Sequence, residues 1–171
     1  MKTIALFILA IMLAMPAKAN VAVGAEQTKQ YLPLLKGKRV ALLSNHTGIV
    51  VLGDEAKGRK DEKATRQKGD TIHTLDLLLE HGVNVTAIFS PEHGFRGTAR
   101  EGELVASSVD EKTGIPILSL YDGKSKRPSK EAMETFDILI TDIQDVGLRF
   151  YTYYVTMLRL MDVCAQEGKQ F

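Results

Sequence analysis

The chain has 171 residues, with 22 Lys and Arg against 21 Asp and Glu and a formal net charge of +1. So even a balance provides no broad attraction for polyanions and excludes a general nucleic-acid binder. A single cysteine, Cys164, excludes an intramolecular disulfide framework, so a chain of this size must rely on an apolar core.

Residues 1–19 read as an export signal and stand outside the fold. Lys2 supplies a positive start, Ile4 to Met15 is almost wholly apolar, and Ala17-Lys18-Ala19 offers a small-residue cleavage site after Pro16. The apolar run falls short of the roughly 20 residues that a membrane-spanning helix needs. No Cys follows the cleavage site to carry a lipid, so no stable membrane anchor is expected. The mature chain should begin near Asn20, in the periplasm or outside the cell, with 20 basic and 21 acidic residues once Lys2 and Lys18 are gone.

A helix is predicted from about Ala25 to Leu35. From Arg39 onward, short apolar runs alternate with helical periodicity, the pattern of an α/β fold with a mostly parallel sheet flanked by helices. Strands are predicted at Val40 to Ser44, Val83 to Ser90, Ile115 to Leu120 and Ile138 to Ile143. Ile72, Leu75, Leu78 and Leu79 mark a helix between the first two strands, stopped by Gly82. Gly53 to Asp70 interrupts the pattern: 11 of its 18 residues are charged, in both signs, so it is expected to be a solvated insertion outside the core. Ser129 is a natural N-cap for a helix after Pro128, with Glu131 suited to the positive helix end. A long helix from about Thr152 to Glu167 carries Val155, Leu158, Met161 and Ala165 at helical spacing, and Cys164 reads as core packing. Lys169 to Phe171 resembles the opening of a fifth strand, so residues 20–171 are expected to form one α/β domain, incomplete at its C-terminus.

In open parallel sheets ligands bind beyond the carboxyl ends of the strands. Asn45, His46 and Thr47 follow the first predicted strand, and Pro91, Glu92, His93, Gly94, Phe95 and Arg96 follow the second. Tyr121 follows the third, while Asp142, Gln144, Asp145, Arg149 and Tyr151 surround the end of the fourth. The sharpest feature is Ser90-Pro91-Glu92-His93-Gly94-Phe95-Arg96-Gly97. Pro91 ends the strand at Ser90, and the glycines permit tight turns. Glu92 is thereby held just past a rigid strand, where a catalytic carboxyl can be partly desolvated; the alternative is a solvated Glu beside a turn.

His93 either donates to a substrate hydroxyl or braces its loop. Arg96 and Arg149 are suited to bidentate pairing with a substrate carboxylate, the alternative being a salt bridge to Asp142 or Asp145. Phe150, Tyr151, Tyr153 and Tyr154 form an aromatic cluster, expected to be mostly core. Glycoside hydrolysis commonly uses two carboxyls, and Glu103, Asp142 and Asp145 are all eligible as the second. His46, His73, His93, Glu92 and Asp142 include metal-ligand types, but no H-E-x-x-H or cysteine cluster organises them, and His73 is better placed to cap or pack at a helix start. Asn45-His46-Thr47-Gly48 is no phosphate-binding loop and no G-x-S-x-G elbow occurs, so neither metal nor cofactor is expected.

Three motifs in order, Ser90–Gly97 (SPEHGFRG), Thr113–Tyr121 (TGIPILSLY) and Asp142–Tyr153 (DIQDVGLRFYTY), resemble the NamZ-type exo-β-N-acetylmuramidase family over roughly Gly37 to Phe171. The resemblance implies a Rossmann-like N-terminal domain carrying the active site, with a smaller second domain beyond it. It implies release of N-acetylmuramic acid from the non-reducing ends of peptidoglycan fragments, so the partners are peptidoglycan-derived saccharides. The family's glutamate falls on Glu92, and the G-E of the next loop on Gly102-Glu103. Its D-x-Q-D falls on Asp142, Gln144 and Asp145, and its R-x-Y-T on Arg149, Tyr151 and Thr152. The expected site is therefore Glu92, Glu103 and Asp142 for chemistry, with Asn45, His93, Arg96, Gln144, Asp145, Arg149 and Tyr151 for binding. Arg100-Glu101 departs from the Asp-Ala usual there, and the charged insertion departs from the pattern between Ile49 and Thr71. A non-catalytic wall-sugar-binding module and a metal-dependent amidase or esterase are the competing readings.

Overall fold

A computed structural model describes residues 22–52, 70–97, 100, 103–123 and 125–171. The expected export signal and residues 53–69 of the charged stretch lie outside the described residues. A 3-10 turn at Gly24–Glu26 leads into α1 (Thr28–Leu35), then β1 (Arg39–Ser44), β2 (Ile49–Val51), β3 (Thr71–His73) and α2 (Thr74–Glu80). There follow β4 (Asn84–Ser90), β5 (Ser108–Val109), β6 (Pro116–Ser119), α3 (Lys130–Glu134), β7 (Ile138–Asp142) and α4 (Thr152–Gln166).

The main sheet has the order β5-β6-β4-β1-β7. Strands β6, β4, β1 and β7 run parallel and only β5 is antiparallel. Taking the parallel strands in chain order, the arrangement is three, two, one, four: a doubly wound sheet whose chain reverses direction between β1 and β7. The core shows why β1 must be apolar throughout. Ala41 and Leu43 pack with Phe89, Phe136, Leu139, Leu160 and Cys164 on one side. Val40 and Leu42 pack with Leu35, Leu75, Leu78 and Ile88 on the other. Successive strand side chains point to opposite faces, so a strand covered on both sides reads as a continuous apolar run.

Several expectations about the ends of elements hold. Ser129 Oγ accepts from Ala132 N–H at 3.2 Å and caps α3. His73 caps α2, its Nδ1 accepting from Leu75 N–H at 3.1 Å. Cys164 is buried, and burial pushes its thiol up to about 11, with Lys169 nearby pulling it the other way. Gln170 forms a parallel bridge to Ile138, with Leu139 N–H donating to Gln170 O at 2.9 Å, as a strand opening on that edge requires.

Two expectations fail. Ile72 is not helical: it pairs with Val50 in a small antiparallel ladder of β2 and β3 that no periodicity announced. Leu52 N–H donates to Asp70 O at 2.8 Å, so the charged stretch leaves and returns at one point of that ladder. On α4 the apolar stripe chosen from the sequence faces outward, with Leu158 and Met161 each 41% exposed. The buried face is Tyr153, Thr156, Leu160, Val163 and Cys164. Both stripes have helical spacing, and Thr156 lies on the inner one because its hydroxyl is satisfied within the helix.

One ion pair ties β1 to the turn before β7. Arg39 Nη2 meets Asp137 Oδ1 at 2.7 Å while Arg39 N–H donates to Oδ2 at 2.9 Å. The side-chain hydrogen bond from Arg39, with its backbone N–H and its charge, holds the Asp137 carboxyl down at about 2. An unfolded Asp titrates near about 3.9. The pair's contribution is therefore complete above that value and lost as pH falls from about 4 towards 2. Thermal melts of wild type and Asp137→Asn should differ at pH 6 and converge across that window; a constant gap down to pH 2 would refute the linkage.

Candidate active site

The turn that carries Glu92 is built from the sequence upward. Pro91 stops β4, and Gly94 N–H donates back to Pro91 O at 3.1 Å. Within this turn His93 adopts φ +71°, the one non-glycine residue with positive φ among the described residues. Such a residue costs about 1–2 kcal/mol, and strain of this kind collects at functional sites. Gly97, at the far end of the motif, has φ +69°, and a Cβ there would lie 2.0 Å from Nδ1 of His46. Only glycine lets the loops after β1 and β4 approach this closely. Gly48 plays a similar part, since a Cβ there would lie 2.3 Å from Ser44 Oγ and 3.2 Å from Asp142 Oδ2.

Glu92 and Glu103 line one cleft of about 380 Å³, together with Leu104, Tyr121, Lys126 and Thr152. Glu92 is half-buried, and its Oε2 accepts from Thr152 Oγ1 at 2.7 Å. Glu103 is exposed, and its Oε2 accepts from Arg100 N–H at 2.8 Å. The Tyr121 ring forms a wall of this cleft, with Lys126 Nζ 5.2 Å from its centroid. The two expected carboxylates are thus brought together, while Glu101 and Gly102 lie outside the described residues.

Other expected residues are placed elsewhere. Asp142 does not line this cleft: it sits in a neighbouring hollow with Tyr31, Gln144, Asp145 and Tyr153, and its Oδ2 accepts from Thr74 Oγ1. That bond ties β7 to the start of α2, a structural use. Asp145 is likewise occupied, with Oδ1 accepting from Gly147 N–H at 2.7 Å and Oδ2 from Tyr154 N–H at 3.1 Å. It caps α4 from outside the helix, which favours a negative group there.

Arg96 is held by Asp110, not by Asp142 or Asp145, and lies 4.8 Å from the Phe95 ring. Burial alone would raise the Asp110 carboxyl, but hydrogen bonds from Thr113 and Arg96 and the Arg96 charge outweigh it and keep it below the usual carboxylate range. Arg96 therefore braces the loop after β4, because a buried carboxylate needs a charged partner.

Asn45 is fully buried, and its side chain is engaged within the loop that follows β1. Its Oδ1 accepts from Thr47 N–H at 2.9 Å and Thr47 Oγ1 at 2.6 Å. Thr47 Oγ1 in turn accepts from Gln144 N–H at 3.1 Å, which links the loops after β1 and β7. Asn45 Nδ2 lies beside the Tyr153 phenol without a well-aligned hydrogen bond. Burial pushes that phenol up, opposed by the Asn45 amide and reinforced by the Glu92 charge. His73 Nε2 lies 2.8 Å from Asn45 O. Since Nδ1 accepts from Leu75, Nε2 carries the hydrogen and donates.

Gln144, Arg149 and Tyr151 are exposed around the segment between β7 and α4. The aromatic cluster there is mostly outside the core: Phe150 is 79% exposed and Tyr154 55%, and only Tyr153 is buried. Thr152 was not singled out as a site residue. The sequence places it only within the R-x-Y-T resemblance, and the folded chain shows its hydroxyl on Glu92. Among the described residues no group of three or more His, Cys, Asp and Glu is arranged to hold a metal ion.

Fold and cleft together define a doubly wound α/β domain with two glutamates in one cleft beyond the carboxyl ends of its strands. The chain belongs to the family described as exo-β-N-acetylmuramidase NamZ, N-terminal, whose model matches residues 40–171. It is 42% identical over 142 residues to the peptidoglycan β-N-acetylmuramidase NamZ of Bacillus subtilis strain 168, covering 82% of this chain and 30% of that protein. Two crystal structures of DUF1343 family proteins from Bacteroides fragilis NCTC 9343 are similar in fold. One is 52% identical with a TM-score of 0.64, covering 88% of this chain and 33% of the other. The second is 36% identical with a TM-score of 0.63, covering 85% and 31%. The chain thus spans about a third of the length of these relatives.

Proposed function

We propose that this domain carries the catalytic cleft of an exo-acting glycoside hydrolase that releases N-acetylmuramic acid from the non-reducing ends of peptidoglycan fragments. The observation that carries the reading is that Glu92 and Glu103 share one cleft at the carboxyl edge of the sheet, in a chain 42% identical over 142 residues to a peptidoglycan β-N-acetylmuramidase. In this mechanism Glu92 is the general acid, passing its proton to the leaving glycosidic oxygen. Glu103 is the second carboxylate, assisting water or orienting the 2-acetamido group. Asp142 is left out because Thr74 holds it in the neighbouring hollow.

The lactyl carboxylate of N-acetylmuramic acid needs a cation. Arg96 is committed to Asp110, whereas Lys126 lines the cleft itself and Arg149 is exposed on the segment before α4. Export through the N-terminal signal would deliver the enzyme to the periplasm or exterior, where such fragments occur. The test is to incubate the full-length protein with a chromogenic N-acetylmuramic acid glycoside and, in parallel, its N-acetylglucosamine counterpart. Selective cleavage of the former is expected. Binding of muramyl fragments with no turnover would leave a sugar-binding module instead, and inactivation by a chelator would point to a metal-dependent hydrolase.

A further inference from the structure

Thr152 is the first residue of α4, and its Oγ1 donates to Glu92 Oε2 at 2.7 Å. A threonine hydroxyl has one hydrogen to give, so that hydrogen is spent on Oε2. One turn along the helix, Thr156 Oγ1 donates to the carbonyl of Thr152 at 2.8 Å. Its own hydrogen being used, the 3.0 Å contact with the Tyr121 phenol must run from Tyr121 to Thr156. Thr156 is 1% exposed, so this arrangement is shielded from competing water. Tyr121, a wall of the cleft, is thus linked through Thr156 to the carbonyl of the residue that holds Glu92. Thr152 is also β-branched, which limits the directions in which its hydroxyl can point.

We propose that Thr152 is a positioning residue that holds the Glu92 carboxyl by donating to its Oε2 and so fixes the direction in which the acid presents its transferable proton. The Tyr121–Thr156 pair holds the helix turn on which it stands. This rests on the assignment of Glu92 as general acid. In the proton-transfer step the O–H bond of the Glu92 carboxyl breaks and its proton joins the glycosidic oxygen. The electron pair of the C1–O bond goes to that oxygen, which departs as an alcohol. Water then supplies hydroxyl to C1 and returns a proton to the carboxyl pair. As Glu92 becomes a carboxylate, the Thr152 hydroxyl is already aimed at it, and preorganised donors of this kind act where charge develops.

The experiment compares Thr152→Val, Thr152→Ser and Glu92→Gln in the full-length protein. Two substrates share the N-acetylmuramic acid unit: a nitrophenyl glycoside, whose leaving group departs without much protonation, and a disaccharide, whose alcohol leaving group depends on it. Thr152→Val is expected to lose up to about 100-fold in kcat on the disaccharide, the scale of a misplaced catalytic group. KM should be little changed and the nitrophenyl substrate far less affected. Thr152→Ser should approach wild type on both. A side chain that only packs would depress both substrates alike and gain nothing from serine. Should valine disturb the helix start, Thr152→Ala removes the same donor and is held to the same contrast. Equal losses on both substrates, or wild-type turnover of the disaccharide by Thr152→Val while Glu92→Gln is inactive, would overturn the positioning role alone. Wild-type turnover of the disaccharide by Glu92→Gln would remove the acid assignment, and the role of Thr152 with it.

Discussion

Glu92→Gln is expected to lower kcat by roughly 10²–10⁴-fold, the usual contribution of a positioned general acid. The change preserves the side chain's size, and the amide oxygen can still accept from Thr152, which donates to Glu92 Oε2 at 2.7 Å. Binding of muramyl fragments and the melting temperature should therefore stay close to wild type, so that the loss falls on turnover. Steady-state kinetics with an N-acetylmuramic acid disaccharide, whose alcohol leaving group depends on the acid, beside calorimetric titration with an uncleaved fragment, separates the two. Turnover within a few-fold of wild type would remove Glu92 from the chemistry.

Phe89→Ala should have the largest effect on stability. Phe89 is fully buried and meets the Phe136 ring edge-on, with centroids 5.8 Å apart and planes at 81°. Truncating a core phenylalanine costs about 3–5 kcal/mol, against a total of only about 5–15 kcal/mol for an ordinary domain. Urea titration should show a much lower midpoint with an unchanged slope, the sign of lost stability without a change in the surface exposed. A loss of less than about 1 kcal/mol would mean that the core repacks around the gap. Phe89 stands three residues ahead of Glu92 on the strand that delivers it. Weakening that strand should make kcat more temperature-sensitive than Glu92→Gln does.

The sequence made the sheet legible because its strands are covered on both sides. Val40 to Leu43 must be apolar at every position when alternate residues enter different cores, and such a run is visible without any structure. The short β2–β3 ladder was not legible. Three residues per strand are too few to show a period, and the charged stretch between them hides their pairing. The face of α4 was misjudged for a related reason. Its outward stripe is the more apolar by name, whereas Thr156 is hidden by a hydrogen bond to Thr152 O that composition does not reveal.

The site was legible as a location and less so as an assignment of roles. Strand ends told where Glu92 would emerge, while Glu103 was singled out from Asp142 and Asp145 only by the family resemblance. They did not tell which polar groups were already engaged in holding the loops together. Arg96, Asp142, Asp145 and Asn45 each turned out to have a partner elsewhere in the chain: Asp110, Thr74, the α4 amide and Thr47. Carboxylates and amides near a sheet edge have the same chemistry whether they await a ligand or fasten a turn. Only three-dimensional proximity separates the two uses, as it does for Thr152, whose one hydrogen bond to Glu92 spans 60 residues of sequence.

The hydrogen bond from Leu52 to Asp70, 2.8 Å long, gives the molecule a natural graft point. Polypeptide joined at these two positions starts and finishes at neighbouring points of the β2–β3 ladder, outside the main sheet. Since closing a longer loop adds only about 0.6 kcal/mol per doubling of its length, a reporter peptide or a small folded cargo spliced between them would load the ladder and leave the doubly wound core and its two glutamates to assemble as before.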